Sequence, residues 1–218
     1  MCGPASTSPS RSPPSGRQKA ISAPPVTRGV ADQDRYRRQT VLPEIGSRGQ
    51  AALRRSHVVL VGVGALGCVS GDLLARAGVG HLRLVDRDVV ETVNLQRQTL
   101  YAEADVDRPK AEAAADRLRS VNSSIRIDAL AKDVHAATVE EVVSGSDLIV
   151  DGTDNLETRY LLNEAALDAK IPFIYGGAVG TFGMVFSARS PETACFRCLN
   201  PKRPAPGTLP TCETTGIL

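Results

Sequence analysis

The run His57-Val-Val-Leu-Val-Gly62-Val-Gly64-Ala-Leu-Gly67 decides the fold. Its first half is an almost unbroken apolar stretch closed by glycine, which reads as a strand covered on both faces. Its second half spaces three glycines as Gly-x-Gly-x-x-Gly where a helix begins. Gly62 permits a tight turn, Gly64 lets the backbone approach a phosphate, and Gly67 lets the helix pack close to the strand. The unpaired N–H groups and partial positive charge at such a helix start favour an anion. Asp86 ends the next apolar run, Leu82-Arg-Leu-Val-Asp86, where a carboxylate accepts from ribose hydroxyls. A glycine-rich turn that binds nothing is the plain alternative. Strand, helix and acid falling in register favour a nucleotide.

On either side the alternation continues. Residues 48–55 read as a short helix ahead of the first strand. After the glycines, Leu66, Val69, Leu73, Leu74 and Ala77 are expected on one inward helix face, stopped by Gly78. Pro109 opens a helix reaching about residue 120, in a first-turn position where its missing N–H costs nothing. Residues 125–130, 147–151 and 173–175 read as strands, and 138–143 and 157–169 as helices. Such alternation defines an α/β fold: a doubly wound, mainly parallel Rossmann-like sheet with helices on both faces. Beyond Gly183 the chain passes through Met-Val-Phe-Ser into a Pro-, Thr- and Cys-rich stretch, where no element is assigned.

Residues 1–32 are rich in Pro, Ser and Arg and lack periodicity, so they cannot bury enough apolar surface to offset the entropy of ordering. A disordered extension is expected there, with 33–218 as one domain. The extension has the Arg/Ser content of a transit peptide, but its prolines spoil an amphipathic helix, which favours a linker.

Composition narrows the partners. The 218 residues include 4% aromatics and no Trp, a poor supply for stacking nucleic-acid bases. The net charge of +2 owes four cations to the first thirty residues, leaving 22 basic against 24 acidic residues in the body. No nucleic-acid partner is expected, and no apolar stretch approaches the ~18 residues of a membrane span. Five cysteines without a disulfide framework point to a soluble protein in a reducing, cytoplasmic setting. There Cys195-x-x-Cys198 reads as a metal half-site or a redox pair; the pair follows no strand–helix start of the thioredoxin kind, which favours metal.

The glycine loop alone leaves a nicotinamide or flavin oxidoreductase and an ATP-using enzyme both open. The stretch after Asp86 separates them. Asp86-Arg-Asp-Val-Val-Glu-Thr-Val-Asn94-Leu-Gln-Arg97-Gln98 resembles the signature of the ThiF/MoeB/HesA adenylyltransferases, relatives of the ubiquitin-activating enzymes. Arg35-Tyr-Arg-Arg38-Gln, Pro109-Lys110, Asp151-Gly-Thr-Asp154-Asn155, Cys195-Phe-Arg-Cys198 and Thr211-Cys212 match the same family in order. The resemblance implies ATP-dependent adenylylation of the C-terminal glycine of a ubiquitin-like sulfur carrier of the ThiS/MoaD type, serving thiamin or molybdopterin synthesis, by a homodimer. It implies a nucleotide site of Gly62, Gly64, Gly67, Asp86, Asn94, Arg97, Lys110, Asp154 and Asn155, with Arg38 reaching a neighbouring subunit's triphosphate.

The residue chemistry supports several of these roles independently. Pyrophosphate leaves with growing negative charge, which Arg97 and Lys110 can meet; taken singly, each could be a solvated surface charge. A cation at the helix start that Pro109 marks works against the helix dipole, which implies an anion near Lys110. Arg38 sits in a basic cluster that could equally be a solvated face. Asp154 suits Mg²⁺, a hard ion that takes one or two carboxylates plus phosphate oxygens. Asp154 or Asn155 could also cap the helix that follows. By resemblance Cys212 attacks the activated carboxyl or forms a persulfide link; the plain reading is an inert loop thiol. Cys68 reads as a small core residue. In the family a second Cys-x-x-Cys completes a structural Zn²⁺ site, whereas Cys195 and Cys198 supply half. A C-terminally truncated chain is therefore expected, and an inactive nucleotide-binding module is the alternative function.

Overall fold

Val58, Val59, Leu60 and Val61 are each at most 2% exposed, because β1 (His57–Val61) runs through the middle of a sheet covered on both faces. The structure, a computed structural model, describes residues 34–189, 191–202 and 215–216. The expected extension 1–32 and Cys212 lie outside the described residues. Ahead of β1 come α1 (Arg37–Thr40) and α2 (Gly46–Arg55). After it come α3 (Ala65–Ala77), β2 (His81–Val85), α4 (Lys110–Val121), β3 (Arg126–Leu130) and α5 (Val139–Val143). The chain continues through β4 (Leu148–Asp151), α6 (Leu156–Ala169), β5 (Phe173–Val179), β6 (Phe182–Ala188) and α7 (Phe196–Leu199).

The strands lie in the order β3-β2-β1-β4-β5-β6, parallel except for β6. This is the expected doubly wound sheet. The order reverses between the neighbours β1 and β4, so the loops leaving their carboxyl ends part to opposite faces and open a crevice. The two-residue period of the strands splits the core into two layers. Val58 and Leu60 pack with Cys68, Ala75 and Leu118 under α3 and α4. Val59 and Val61 face Val142, Tyr160 and Leu162 under α5 and α6.

Two expectations need correction. Of the inward face assigned to α3, Val69 is 48% and Leu73 61% exposed, while Gly67, Cys68, Gly71 and Ala75 are buried. The helix approaches the sheet so closely that a Cβ on Gly71 would stand 3.3 Å from Leu60 Cδ2. Only small residues fit that contact, so Val69 and Leu73 turn outward while Leu74 packs against the core from its side. The second correction concerns the end of the sheet. β5 runs to Val179 instead of stopping at Tyr175, and the chain turns at Gly180 (φ +58°) into β6, where no element was assigned. A smaller shift places Pro109 one residue ahead of α4, as its N-cap.

The Arg35–Gln39 segment is a docking device. The Tyr36 ring lies over Gly78, which ends α3 in the left-handed region (φ +86°); a Cβ there would fall 2.5 Å from Tyr36 Cζ. Asn122 Nδ2 donates to Tyr36 Oη at 2.7 Å and to the Ala75 carbonyl at 2.7 Å. Gln39 and Gln50 amides both donate to the Ala77 carbonyl, at 3.0 and 2.9 Å. Carbonyls that the helix end leaves unpaired are thus satisfied by side chains.

Candidate active site

A cleft of some 900 Å³, open mouth included, lies at the carboxyl ends of β1, β2 and β4. Its floor is the glycine loop. Gly62 has φ +84°, and a Cβ there would fall 2.7 Å from the Thr153 nitrogen. A Cβ on Gly67 would fall 2.0 Å from the Gly62 carbonyl oxygen. These two glycines are demanded by the fold itself. Gly64 is different: its nearest neighbour would be Gln98 Nε2 at 3.9 Å, so the space it leaves belongs to the cleft.

Asp86 ties the second strand to that loop. Its Oδ2 accepts from the Val63 N–H at 2.7 Å and its Oδ1 from the Asp88 N–H at 2.9 Å. Burial raises its pKa above the ordinary carboxylate value, against the pull of those two N–H groups and of Lys110. Each oxygen keeps a lone pair for a further donor from the cleft.

The cations come from behind. Lys110 opens α4 with its side chain only 9% exposed, and its Nζ stands 3.3 Å from Asp88 Oδ2. Asp88 is therefore the anion that the awkward position of Lys110 implied. Arg97 lines the same wall and donates to the Val93 carbonyl at 3.0 Å. Gln98, buried beside it on the cleft, has no hydrogen-bond partner for its Oε1 among the described residues. Its unpaired oxygen is an acceptor open to a donor in the cleft. In the sequence, the only signal for Gln98 is its place directly after Arg97.

The opposite wall is the loop after β4, where Gly152, Thr153 and Asp154 face the cleft. Asn155 Oδ1 accepts from the N–H groups of Glu157 and Thr158 and caps α6. Asp154 is exposed and makes no hydrogen bond or ion pair with any described residue. Of the two candidate caps, then, Asn155 takes the backbone and Asp154 is left facing the cleft.

Some expected residues are placed elsewhere. Asn94 is buried outside the lining of the cleft, where its Oδ1 accepts from the Glu91 N–H at 3.2 Å and closes the 92–94 turn. Arg38, on α1, is exposed and away from its own chain's cleft. Cys68 is a core thiol, pushed up to about 11 by burial. Cys195 and Cys198 flank the start of α7 with their sulfurs 3.7 Å apart. Burial pushes the Cys195 thiol up, but N–H groups and the Cys198 thiol outweigh it and leave it below its ordinary value. With Zn–S bonds of about 2.3 Å, two corners of a zinc tetrahedron are about 3.8 Å apart, so the pair fits half a site. Among the described residues no cluster of three or more His, Cys, Asp or Glu could hold a metal.

An open parallel sheet with a glycine loop at its switch point, an acid behind that loop and two cations across the cleft defines a Rossmann-type nucleotide-binding protein. The comparison with known proteins goes further: the chain belongs to the ThiF family, whose model matches residues 36–218. It is 45% identical to a sulfur carrier protein ThiS adenylyltransferase of Bacillus subtilis over 186 residues, 84% of this chain and 55% of that protein. It is also 45% identical to a SAMP-activating enzyme E1 of Haloferax volcanii over 185 residues, 85% of this chain and 68% of that protein. Among solved structures, MccB of Escherichia coli with AMPCPP and MccA superposes with a TM-score of 0.70 at 28% identity, covering 76% of this chain and 51% of that one. The chain thus spans little more than half of the Bacillus relative. Among the described residues no helix is long and apolar enough to cross a membrane.

Proposed function

We propose that this chain adenylylates the C-terminal glycine of a ubiquitin-like sulfur-carrier protein with ATP. The observation that carries this reading is the cleft itself: a glycine floor, Asp86 on one side, and Arg97, Gln98 and Lys110 facing Asp154 across it. A carboxylate oxygen of the carrier attacks the α-phosphorus. The bond from that phosphorus to the bridging oxygen breaks, and its electron pair leaves with pyrophosphate. Gly64 and the start of α3 receive the phosphates, and Asp86 the ribose. Lys110 and Arg97 meet the charge that grows on pyrophosphate, with the phosphates replacing Asp88 as the partner of Lys110. Gln98, whose unpaired Oε1 can only accept, receives a hydroxyl or N–H donor of the bound nucleotide.

Asp154, at the rim and without a partner among the described residues, is the residue that would hold Mg²⁺, an ion that neutralises phosphate charge when bound. Cys195 and Cys198 would hold Zn²⁺ only together with two further donors. A covalent role for Cys212 is proposed by resemblance.

We place a second copy of the chain on the apolar flank of α3. Val69 and Leu73 are exposed there, and Val185 of β6, 80% exposed, pairs with Gly176, whose missing side chain would meet Leu66. By the family resemblance, Arg38 of one copy would serve the other copy's cleft in such a homodimer.

The test is direct. The chain, ATP, Mg²⁺ and a carrier ending in Gly-Gly are incubated, and the intact mass of the carrier is measured. An AMP adduct on the carrier supports the proposal; consumption of ATP with an unchanged carrier contradicts it.

A further inference from the structure

Asp151 and Arg159 form a buried ionic pair beneath the 152–155 loop, and no role above uses it. The Asp151 side chain is fully buried and that of Arg159 is 13% exposed. Arg159 Nε stands 3.4 Å from Asp151 Oδ2, outside hydrogen-bond geometry, and neither atom has a hydrogen-bond partner among the described residues. Taking both charges out of water is costly, and a well-packed apolar pair would often serve stability as well. Their other bonds show what the pair holds. Asp151 Oδ1 accepts from both the N–H and the hydroxyl of Thr153, at 2.8 and 2.7 Å. Arg159 Nη2 donates to the carbonyl of the same Thr153. The guanidinium lies 4.8 Å above the Tyr175 ring, which fixes its plane against β5.

Both faces of the Thr153 backbone are thereby pinned from below, one residue before Asp154. The same loop abuts the phosphate loop: a Cβ on Gly152 would fall 2.8 Å from the Gly62 carbonyl oxygen. A shift of Thr153 would therefore move both walls of the cleft.

We infer that Asp151 and Arg159 are positioning residues that hold Thr153, and through it the Asp154 carboxylate, where a phosphate-bound divalent ion needs it. The inference rests on the proposed adenylylation and deepens it. Lysine at 159 keeps the charge near Asp151 but loses the planar fork that reaches Thr153 and stacks on Tyr175.

The test compares wild type with Arg159→Lys and Thr153→Val. Calorimetry gives ATP affinity with and without Mg²⁺, and pyrophosphate exchange is followed against Mg²⁺ concentration. In Arg159→Lys, metal-free ATP affinity should stay within about threefold of wild type, while the gain from Mg²⁺ shrinks and exchange falls by about tenfold or more; displacements near an ångström cost up to about 100-fold. The Mg²⁺ concentration for half-maximal exchange should rise, which a mere loss of folded protein would not cause. Thr153→Val removes one hydroxyl and keeps the shape, so it carries the test if the lysine variant misfolds; it should move in the same direction, less far. An unchanged Mg²⁺ gain, or exchange falling only with the folded fraction, overturns the inference. A wild-type chain that does not exchange counts against the proposed function instead, and the Mg²⁺-dependent part of ATP affinity then decides for Arg159.

Discussion

Asp86 and Asp154 are two carboxylates on one cleft with opposite internal ties, and the difference sets what their loss should do. Asp86 accepts two backbone N–H groups, one of them from the glycine loop. Asp86→Ala should therefore weaken ATP binding by about tenfold or more, since hydrogen bonds to a charged group contribute about 1.5–3 kcal/mol. It should also lower the melting temperature, because Val63 N–H loses its acceptor. An unchanged dissociation constant by calorimetry would refute the ribose assignment. Asp154 has no described partner, so Asp154→Ala should leave the melting temperature within about 2 °C, in keeping with surface changes of about ±0.5 kcal/mol. Magnesium-dependent exchange should nevertheless be lost. Normal exchange in that variant at millimolar magnesium would remove the metal role. Gly62 and Gly67 were legible in the sequence because backbone contact forbids any side chain there. Arg159 was not: its partners lie in a strand, a loop and a neighbouring strand, and spacing along one helix carries no trace of them.

At the scale of elements, helix and strand positions followed from apolar runs and glycine stops, whereas the facing of α3 did not. Large apolar residues mark an inward face only when the helix stands at ordinary distance from its sheet. Here the approach is set by Gly67, Gly71 and Ala75, and the outward Val69 and Leu73 carry the misleading signal. Gly71→Val should destabilise by about 1–3 kcal/mol, the usual cost of overpacking. Leu73→Glu should change monomer stability by less than about 0.5 kcal/mol and shift the sedimentation coefficient towards monomer. Denaturant titration and sedimentation distinguish the two; the reverse pattern would restore the original facing. β6 escaped notice because Gly176, Gly177 and Gly180 interrupt the apolar run that would have announced the hairpin.

Across the sheet, the end away from the cleft holds a stacked histidine pair. His57 and His81 start adjacent strands with rings stacked at 3.7 Å. His57 Nδ1 meets the Gly145 carbonyl and its backbone N–H donates to Asp147, while His81 meets Asp128, itself paired with Arg126. Burial holds His57 below its ordinary 6.5, the Gly145 carbonyl opposes, and the charges of His81 and Arg83 add to the lowering. A lowered folded value means that the unfolded chain binds more protons between the two values. Stability therefore falls as pH drops from 6.5 through the folded value. Asp86 and Asp151, raised by burial, act in the opposite sense, so the readout is a difference between proteins. Between about pH 7.5 and about pH 5, wild type should lose more melting temperature than His57→Phe, which keeps the stack and removes the proton site. Parallel pH curves would exclude His57.

The whole molecule is a nucleotide crevice whose two walls, the glycine loop and the loop after β4, touch backbone to backbone, with cations on one side and Asp154 on the other. The proposed activity requires this crevice to form an acyl-adenylate reversibly. Exchange of radiolabelled pyrophosphate into ATP, measured with Mg²⁺ and with or without a carrier ending in Gly-Gly, tests that requirement most directly. The account predicts label in ATP only when the carrier is present, abolished by Lys110→Ala and Asp154→Ala. Exchange that ignores the carrier, or none at all from a folded chain that binds ATP, would contradict it.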